Sequence, residues 1–373
     1  MMQTHTRPAV DVAELQEMLE DHAPVTVLDI RTAEDRAEWA IPGSLHVDAY
    51  EALKAGDPDA LAGAAIPMDA PMVTICGAGK VSITAMEQLR ARGYDARSLS
   101  GGMKAWSLAW NSAEAPAPDS AATVIQVRRT GKGCLSYLIG SDGEAVVIDA
   151  ALPPEVYQEL AAEHGWVITA VLETHIHADH LSRSRLLAEV TGAALYLPAQ
   201  DRVSYPFTPI DAGEALTIGS SRLVALHTPG HTLESTSYLL DDSALFTGDT
   251  LFLTGVGRPD LEASPEQARD RARLLHASLA RLTALPPETV LLPGHTSEPA
   301  PFDNRPIATT LAEVKERVTM LGLSEDAFLE TILARIPPTP PNHAQIVALN
   351  EAGALPEGDP TDLEAGANRC AVS

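Results

Sequence analysis

Residues 174–180 read Thr-His-Ile-His-Ala-Asp-His, so His175, His177, Asp179 and His180 fall within six residues. The run follows an apolar, β-branched stretch and precedes a helical pattern, so it reads as a turn that aims several donors at one point. Imidazole suits iron and zinc, and an added carboxylate favours a hard or borderline divalent ion. Three further donors follow strand-like stretches downstream: His231 in His227-Thr228-Pro229-Gly230-His231, Asp249 in Phe246-Thr247-Gly248-Asp249, and His295 in Pro293-Gly294-His295. Donors at the ends of separate strands fit a metal site built on loops at one edge of a scaffold. His227 by itself reads better as a strand or supporting histidine.

Cys76 offers a different chemistry. Cys76-Gly77-Ala78-Gly79-Lys80-Val81-Ser82 follows a short apolar strand and opens a helix. Backbone N–H groups of such a loop, with the helix N-terminus behind them, hold negative charge on a sulfur or on a persulfide carried by it. Gly77, Gly79, Lys80 and Ser82 are the loop's candidate substrate contacts. Two more cysteines, Cys134 and Cys370, stand far off in sequence. An odd count at wide spacing is neither a disulfide framework nor a CxxC zinc site. Cys370, near the end of the chain, reads more readily as a spare thiol than as a sulfur relay.

These residues need elements to place them. Val25–Ile30 and Met72–Cys76 are short strands, and Asp11–Asp21 and the stretch from Gly79 to Arg92 are helical patterns. Strand, Gly-rich turn and helix, repeated, argue for a parallel α/β sheet. Residues 112–122 (SAEAPAPDSAA) lack periodicity and read as a linker. Beyond them, strands are expected at 123–127, 134–139, 145–149, 167–173, 193–197, 215–218, 221–227, 237–240, 244–246 and 289–292. Helices are expected at 153–164 and 265–282. Many antiparallel-looking strands with helices between them suggest a sandwich of sheets covered by helices. Ile307–Leu321 reads as a docking helix, and Trp106 and Trp110 as core.

Length and composition bound the function. The 373 residues exceed one ordinary domain, and 45% hydrophobic with 21% charged residues is globular. A net charge of −25 opposes nucleic acid and anionic lipid as partners. No long apolar run marks a membrane span, and Met1–Asp11 has no apolar core of a secretory signal. The cytoplasm is the expected compartment.

The sequence resembles two known families. Residues from about Thr6 to Asn111 resemble rhodanese, through Leu28-Asp29-Ile30-Arg31 with Glu38, the Ile41-Pro42-Gly43-Ser44 turn, the Cys76 loop and Gly101-Gly102-Met103-Lys104-Ala105-Trp106. Ala40 stands where a His is common, and Val81 where an Arg is common. Lys80 is then the loop's only cation, and lysine cannot clamp an oxyanion through two parallel bonds.

Residues from about Thr123 to Glu298 resemble the metallo-β-lactamase fold, through the H-x-H-x-D-H turn, His231, Gly248-Asp249 and His295. Within it, Gly255-Val256-Gly257-Arg258-Pro259-Asp260, the Glu173–Ser182 run and Cys134 look more like persulfide dioxygenase than like the dinuclear thioester hydrolase glyoxalase II.

These resemblances imply an α/β chain: a rhodanese-like parallel-sheet domain (6–111), a linker (112–122), an αββα metallo-β-lactamase sandwich (123–300), and a C-terminal helical extension and tail (301–373). They imply one Fe(II) on His175, His231 and Asp249, with zinc as the alternative. His177, Asp179, His180 and His295 would support it or hold a second metal. Arg258 and Asp260 would lie at the substrate, Arg258 by charge pairing with it or by fixing Asp260. The implied activity is oxidation of a small-molecule persulfide by O2 to sulfite plus thiol, coupled to sulfane-sulfur transfer through Cys76 with sulfite or thiosulfate. The rival is a dinuclear zinc hydrolase of glyoxalase II type. No membrane or nucleic-acid partner is expected, and a homodimer stays open.

Overall fold

The computed structural model describes residues 7–296, 299–366 and 368–373. Thr6 and Glu298, the outer limits expected for the two resemblances, lie outside the described residues. No helix in the described part is long and apolar enough to cross a membrane.

The first domain is a five-stranded sheet in the order Ala9–Val10, Ala96–Leu99, Met72–Ile75, Thr26–Asp29, Leu45–His46, with every pair parallel. Side chains alternate across a strand, so Leu28 and Met72 join one core with Met86 and Leu89, while Val27 and Val73 join another with Leu15 and Trp106. Buried Asp29 takes two bonds from the Arg31 guanidinium, at 3.0 and 2.7 Å, and fixes the chain leaving the strand Thr26–Asp29. The loop after Met72–Ile75 is packed backbone on backbone. A Cβ on Gly102 would lie 2.2 Å from the Cys76 carbonyl, so only glycine fits there.

The second domain is the expected αββα sandwich. A seven-stranded sheet, running in space from Thr208–Ile210 to Asn111–Ala115, faces a six-stranded sheet running from Ala215–Ile218 to Thr309–Thr310. Between them lie Tyr137, Ile139, Val146, Leu172, Tyr238, Phe246 and Leu292. Outside the first sheet, Leu138, Val147 and Val171 meet helices Pro154–Glu163 and Ser184–Thr191 through Tyr157, Leu160 and Leu187. Outside the second, Leu245 and Leu291 meet Leu275 and Leu279 of helix Pro265–Leu282 and Phe328 of helix Glu325–Ala334. The sheets are mixed. Glu144–Ile148, Val167–Leu172, Ala194–Pro198 and Thr208–Ile210 pair in parallel; helices Pro154–Glu163 and Ser184–Thr191 make the first two crossovers, and an irregular segment makes the third.

Three expectations are corrected. The first half of the linker is a strand: Asn111–Ala115 pairs antiparallel with Val124–Arg128 and forms the edge of the seven-stranded sheet. Ala113 and Ala115 point inward, but their methyl groups are too small to register as an apolar alternation. The docking helix expected over 307–321 is shorter, Leu311–Arg317, because Thr309–Thr310 pairs with Val290–Leu291 first. The extension is not only helical. Its last residues, Ala371–Val372, form a strand with Val256–Gly257.

The extension also joins the domains. Glu364, 0% exposed, meets Arg183 at 2.6 Å and Arg129 at 3.2 Å and accepts from the Leu181 N–H at 2.8 Å. Arg129 also donates to the Ser107 carbonyl at 2.6 Å, back in the first domain. At the same seam a Cβ on Gly131 would fall 1.8 Å from the Trp106 carbonyl, a contact that no other residue allows. Removing the carboxylate leaves two guanidinium groups buried without their anion. Glu364→Ala is therefore expected to lower stability by about 3–5 kcal/mol. Urea unfolding would show it as an earlier midpoint, and an unchanged midpoint would contradict the role given to Glu364.

Candidate metal centre

Asp149 ends the strand Glu144–Ile148 with a left-handed backbone, φ 55°. Its carboxylate accepts from the Thr174 N–H at 2.7 Å and from the Thr174 hydroxyl at 2.8 Å. The hydroxyl in turn lies 2.9 Å from His175 Nδ1. With its hydrogen given to Asp149, Thr174 Oγ1 accepts from His175 Nδ1–H. That bond fixes the tautomer and leaves the lone pair on Nε2, the arrangement a ligating histidine needs. His231 follows the strand Ser221–His227, and its Nδ1 donates to the Arg258 carbonyl at 2.8 Å, so its Nε2 is likewise free to ligate. Asp249 follows the strand Ala244–Gly248.

Asp249 Oδ2 lies 3.9 Å from His175 Nε2 and 3.7 Å from His231 Nε2. One ion with bonds of about 2.0–2.2 Å can bridge such donors. Buried His175 Nε2 and Asp249 Oδ2 have no hydrogen-bond partner. Two orphaned polar atoms facing one point are costly unless something binds there. Burial pushes His175 and His231 below the usual histidine range, His175 the further. Burial pushes the Asp249 carboxyl up, but His295, His175 and His231 outweigh it and hold it well below the usual carboxylate range. Two neutral imidazoles and one carboxylate are the donor state a divalent cation takes, so the residues fit a metal.

The other expected ligands do not join this set. His177 Nε2 turns to Glu173, at 3.0 Å, and Asp149, at 3.3 Å, while its Nδ1, like Nε2 of His180, is buried without a hydrogen-bond partner. His180 Nδ1 lies 3.1 Å from Asp179 Oδ1. His295 spans two carboxylates, with Nδ1 on Asp249 Oδ1 and Nε2 2.7 Å from Asp179 Oδ2. Asp179, His180 and His295 also form, with Cys134, a second cluster close enough to hold an ion. Cys134 Sγ is 3.5 Å from Asp179 Oδ2. Burial and Asp179 push this thiol up, yet His180 and His295 bring it down to about 6.

Of the two roles expected for Arg258, the structure shows the pairing with Asp260, through two bonds of 2.8 Å. Arg258, 0% exposed, donates from Nη1 to the Pro338 and Arg369 carbonyls. It therefore anchors the tail, and its own carbonyl orients His231.

Cys370, expected to be a spare thiol, is buried beside Asp249 and His295. Neighbouring Asn368 donates to Asp179 Oδ2 at 3.0 Å. Sequence reading missed Asp149, Thr174, Asn368 and Asn350, whose amide donates to the carbonyls of His177 and His180. Asp149 carries a usable signal, since it ends a strand as the ligands do. Asn350 and Asn368 carry none. His227 Nε2–H donates to the Leu233 carbonyl, 2.9 Å away, as a supporting residue.

In the first domain, Cys76 Sγ receives the Ser82 N–H at 3.4 Å, from the first turn of helix Val81–Ala91. The Ser82 hydroxyl also sits 3.4 Å from the sulfur. Met103 and Lys104 N–H groups, each at 2.9 Å, hold the carbonyls of Cys76 and Gly77. Gly77 and Gly79 are backbone elements of this loop, while Lys80 is exposed at its rim.

Comparison with known proteins follows this geometry. Residues 11–109 match the rhodanese-like domain, and residues 129–209 and 198–295 match the metallo-beta-lactamase superfamily. A hydroxyacylglutathione hydrolase from Pseudomonas putida (strain F1) is 36% identical over 152 residues, 40% of this chain and 56% of that protein. The chain thus spans little more than half of that relative. One from Methylobacillus flagellatus is 32% identical over 201 residues, 53% of this chain and 70% of the relative. Among solved structures, a metallo-beta-lactamase from Staphylococcus aureus aligns with TM-score 0.57 and 31% identity, over 62% of this chain and 73% of that one. ETHE1 from Myxococcus xanthus aligns with TM-score 0.54 and 32% identity, over 61% of this chain and 97% of that one.

Because Asp149 acts on the metal only through Thr174 and His175, Asp149→Asn is expected to weaken metal binding about 10- to 100-fold. Competition with a coloured chelator measures this directly. Equal affinity in the variant would remove Asp149 from the site.

Proposed function

We propose, for a chain that belongs to the metallo-β-lactamase superfamily and carries a rhodanese-like domain before it, that the metal centre is mononuclear and oxidises a small thiol persulfide. The observation that carries this reading is that His175, His231 and Asp249 come together as one donor set without His177, whose Nε2 is turned to Glu173 and Asp149 while its Nδ1 is buried without a hydrogen-bond partner. What remains is two histidines and one carboxylate, a set typical of non-haem Fe(II) with open positions for substrate and oxygen. The likeness to ETHE1, over 97% of that chain, supports the same branch.

When bound, ferrous iron would supply the redox chemistry that lets dioxygen react with a sulfur anion. The chain's own groups do the rest. His175 and His231 are held in their ligating tautomers by Thr174 and the Arg258 carbonyl. His295 occupies Asp249 Oδ1, so the carboxylate offers only Oδ2 to the ion. Asn368 and Cys370 of the tail close the site toward solvent, with each of the three donors 3% exposed or less. The balanced reaction takes one persulfide, one dioxygen and one water to one thiol, one sulfite and two protons. At Cys76, sulfite attacking the outer sulfur of a cysteine persulfide would break the S–S bond, release thiosulfate and leave the thiolate; the reverse transfer would load Cys76.

A second reading has its own support. The second cluster, Cys134, Asp179, His180 and His295, has the donors for another ion. The curated relatives named above are hydroxyacylglutathione hydrolases, which favours thioester hydrolysis at two zinc ions.

Metal analysis and oxygen uptake separate the two. The expected result is about one iron per chain, the stoichiometry of a single facial triad, with oxygen uptake on adding a persulfide such as glutathione persulfide. His175→Ala and Asp249→Ala should abolish that uptake. Cys76→Ser should keep it while losing sulfur transfer. Two zinc ions with hydrolysis of a hydroxyacyl-thioester and no oxygen uptake would overturn the proposal.

A further inference from the structure

Between the two domains lies a chamber of about 240 Å³ that neither reaction above employs. Glu38, Lys132, Asp179, Asn342, Glu364 and Arg369 are among the residues on its wall. A smaller recess adjoins it, sharing Glu38, Lys132 and Gly366 and bounded by Trp39 and Trp106. One hollow is lined by a residue of the metal centre, and the other borders the helix that holds the Cys76 loop. Asp179 belongs to the second donor cluster of the metal centre. Trp106 closes the short helix Gly102–Trp106, whose first turn holds the Cys76 loop through Met103 N–H. The Trp39 carbonyl accepts from Arg31, which leaves the sheet at the same end as Cys76.

The carboxylates on the chamber wall are already engaged. Glu38 pairs with Arg369 at 3.1 Å. Asp179 is held by His180, His295 and Asn368. Glu364 lies between Arg129 and Arg183. Lys132 differs from all of them. It is 9% exposed, it lines both hollows, and its ammonium has no hydrogen-bond or ion-pair partner among the described residues. The ammonium is not among the fully buried unpartnered atoms although the side chain is nearly buried, so the charge opens to a hollow, where a bound anion would neutralise it. In a chain of net charge −25, a nearly buried lysine without a partner among the described residues is not part of the general surface field.

We propose that this chamber is a binding site for a small sulfur oxyanion of the sulfite class, held on Lys132 between the metal centre and Cys76. The choice of sulfite rests on the function proposed above, while the anion site itself rests on Lys132 and the chamber. Sulfite suits the position because it is the product expected at one centre and an acceptor of sulfane sulfur at the other. Arg369, on the same wall, is occupied by Glu38, which leaves Lys132 as the charge that a ligand meets.

The test is calorimetry on the full-length, metal-loaded Cys76→Ser protein under anaerobic conditions, titrated with sodium sulfite, sulfate and phosphate. Saturable sulfite binding is expected. Lys132→Met should weaken it about 10- to 100-fold, the size of a lost hydrogen bond to a charged group. Lys132→Arg, which keeps the charge, should retain it and so controls for folding. Absence of saturable sulfite binding, or equal binding in Lys132→Met, overturns the site. Phosphate and sulfate binding as tightly as sulfite would overturn the sulfite assignment. A protein that binds sulfite through Lys132 yet takes up no oxygen with persulfides would retain this site and lose the proposed activity.

Discussion

Asp249 is 2% exposed and keeps one carboxylate oxygen without a hydrogen-bond partner, facing the unpartnered Nε2 of His175. A buried anion in that state costs several kcal/mol unless a cation balances it. The metal is thus the partner around which the surrounding order makes sense. Thr174 and Asp149 fix one imidazole, and the Arg258 carbonyl fixes the other. Each of these supports lies at the end of a strand or in the loop after it. The sandwich core between the two sheets sets where those strand ends fall, so packing far from the metal decides whether three donors meet.

The tail is the second consequence of that constraint. Arg258 binds Asp260 and the carbonyls of Pro338 and Arg369, and its N–H donates to the Cys370 carbonyl at 3.0 Å. The same residue therefore orients a metal ligand and ties down the segment that covers it. Glu364 does the equivalent work on the other side, joining Arg183 and Leu181, just after the metal turn, to Arg129 beside the first domain. Loss of order in the tail would reach the metal turn through these two residues.

How much of this was legible follows from the range of each interaction. The metal turn, the Cys76 loop and most strands of the sandwich are written in contiguous residues, as periodicity, glycines and donor spacing. Asn111–Ala115 was read as linker because alanine, serine and proline obscure an alternation that only its pairing with Val124–Arg128 makes visible. Arg258 was expected to pair with substrate or with Asp260, because the resemblance places both residues near the metal but cannot say which way a guanidinium turns. His177 stands in the motif beside His175, and its contacts with Glu173 and Asp149, which turn only Nε2 away, appear first in the fold. Cys370, Asn368 and Glu364 act across more than a hundred residues of sequence, and no local pattern announces them.

The mode of fusion bears on how sulfur could pass between the centres. A flexible linker would set an effective concentration through its length alone. Here the chain enters the seven-stranded sheet directly at Asn111, and Arg128 donates to the Asn111 side chain at 2.8 Å. Arg129 and Gly131 bond to the carbonyls of Ser107 and Ala109. The two centres are thus held in one packed arrangement, and chain motion cannot bring Cys76 to the metal. Any transfer between them must move a small molecule, either out through solvent or along an internal space. The fixed seam makes the second route physically available, because a hollow lined by both domains keeps its shape only when neither domain swings.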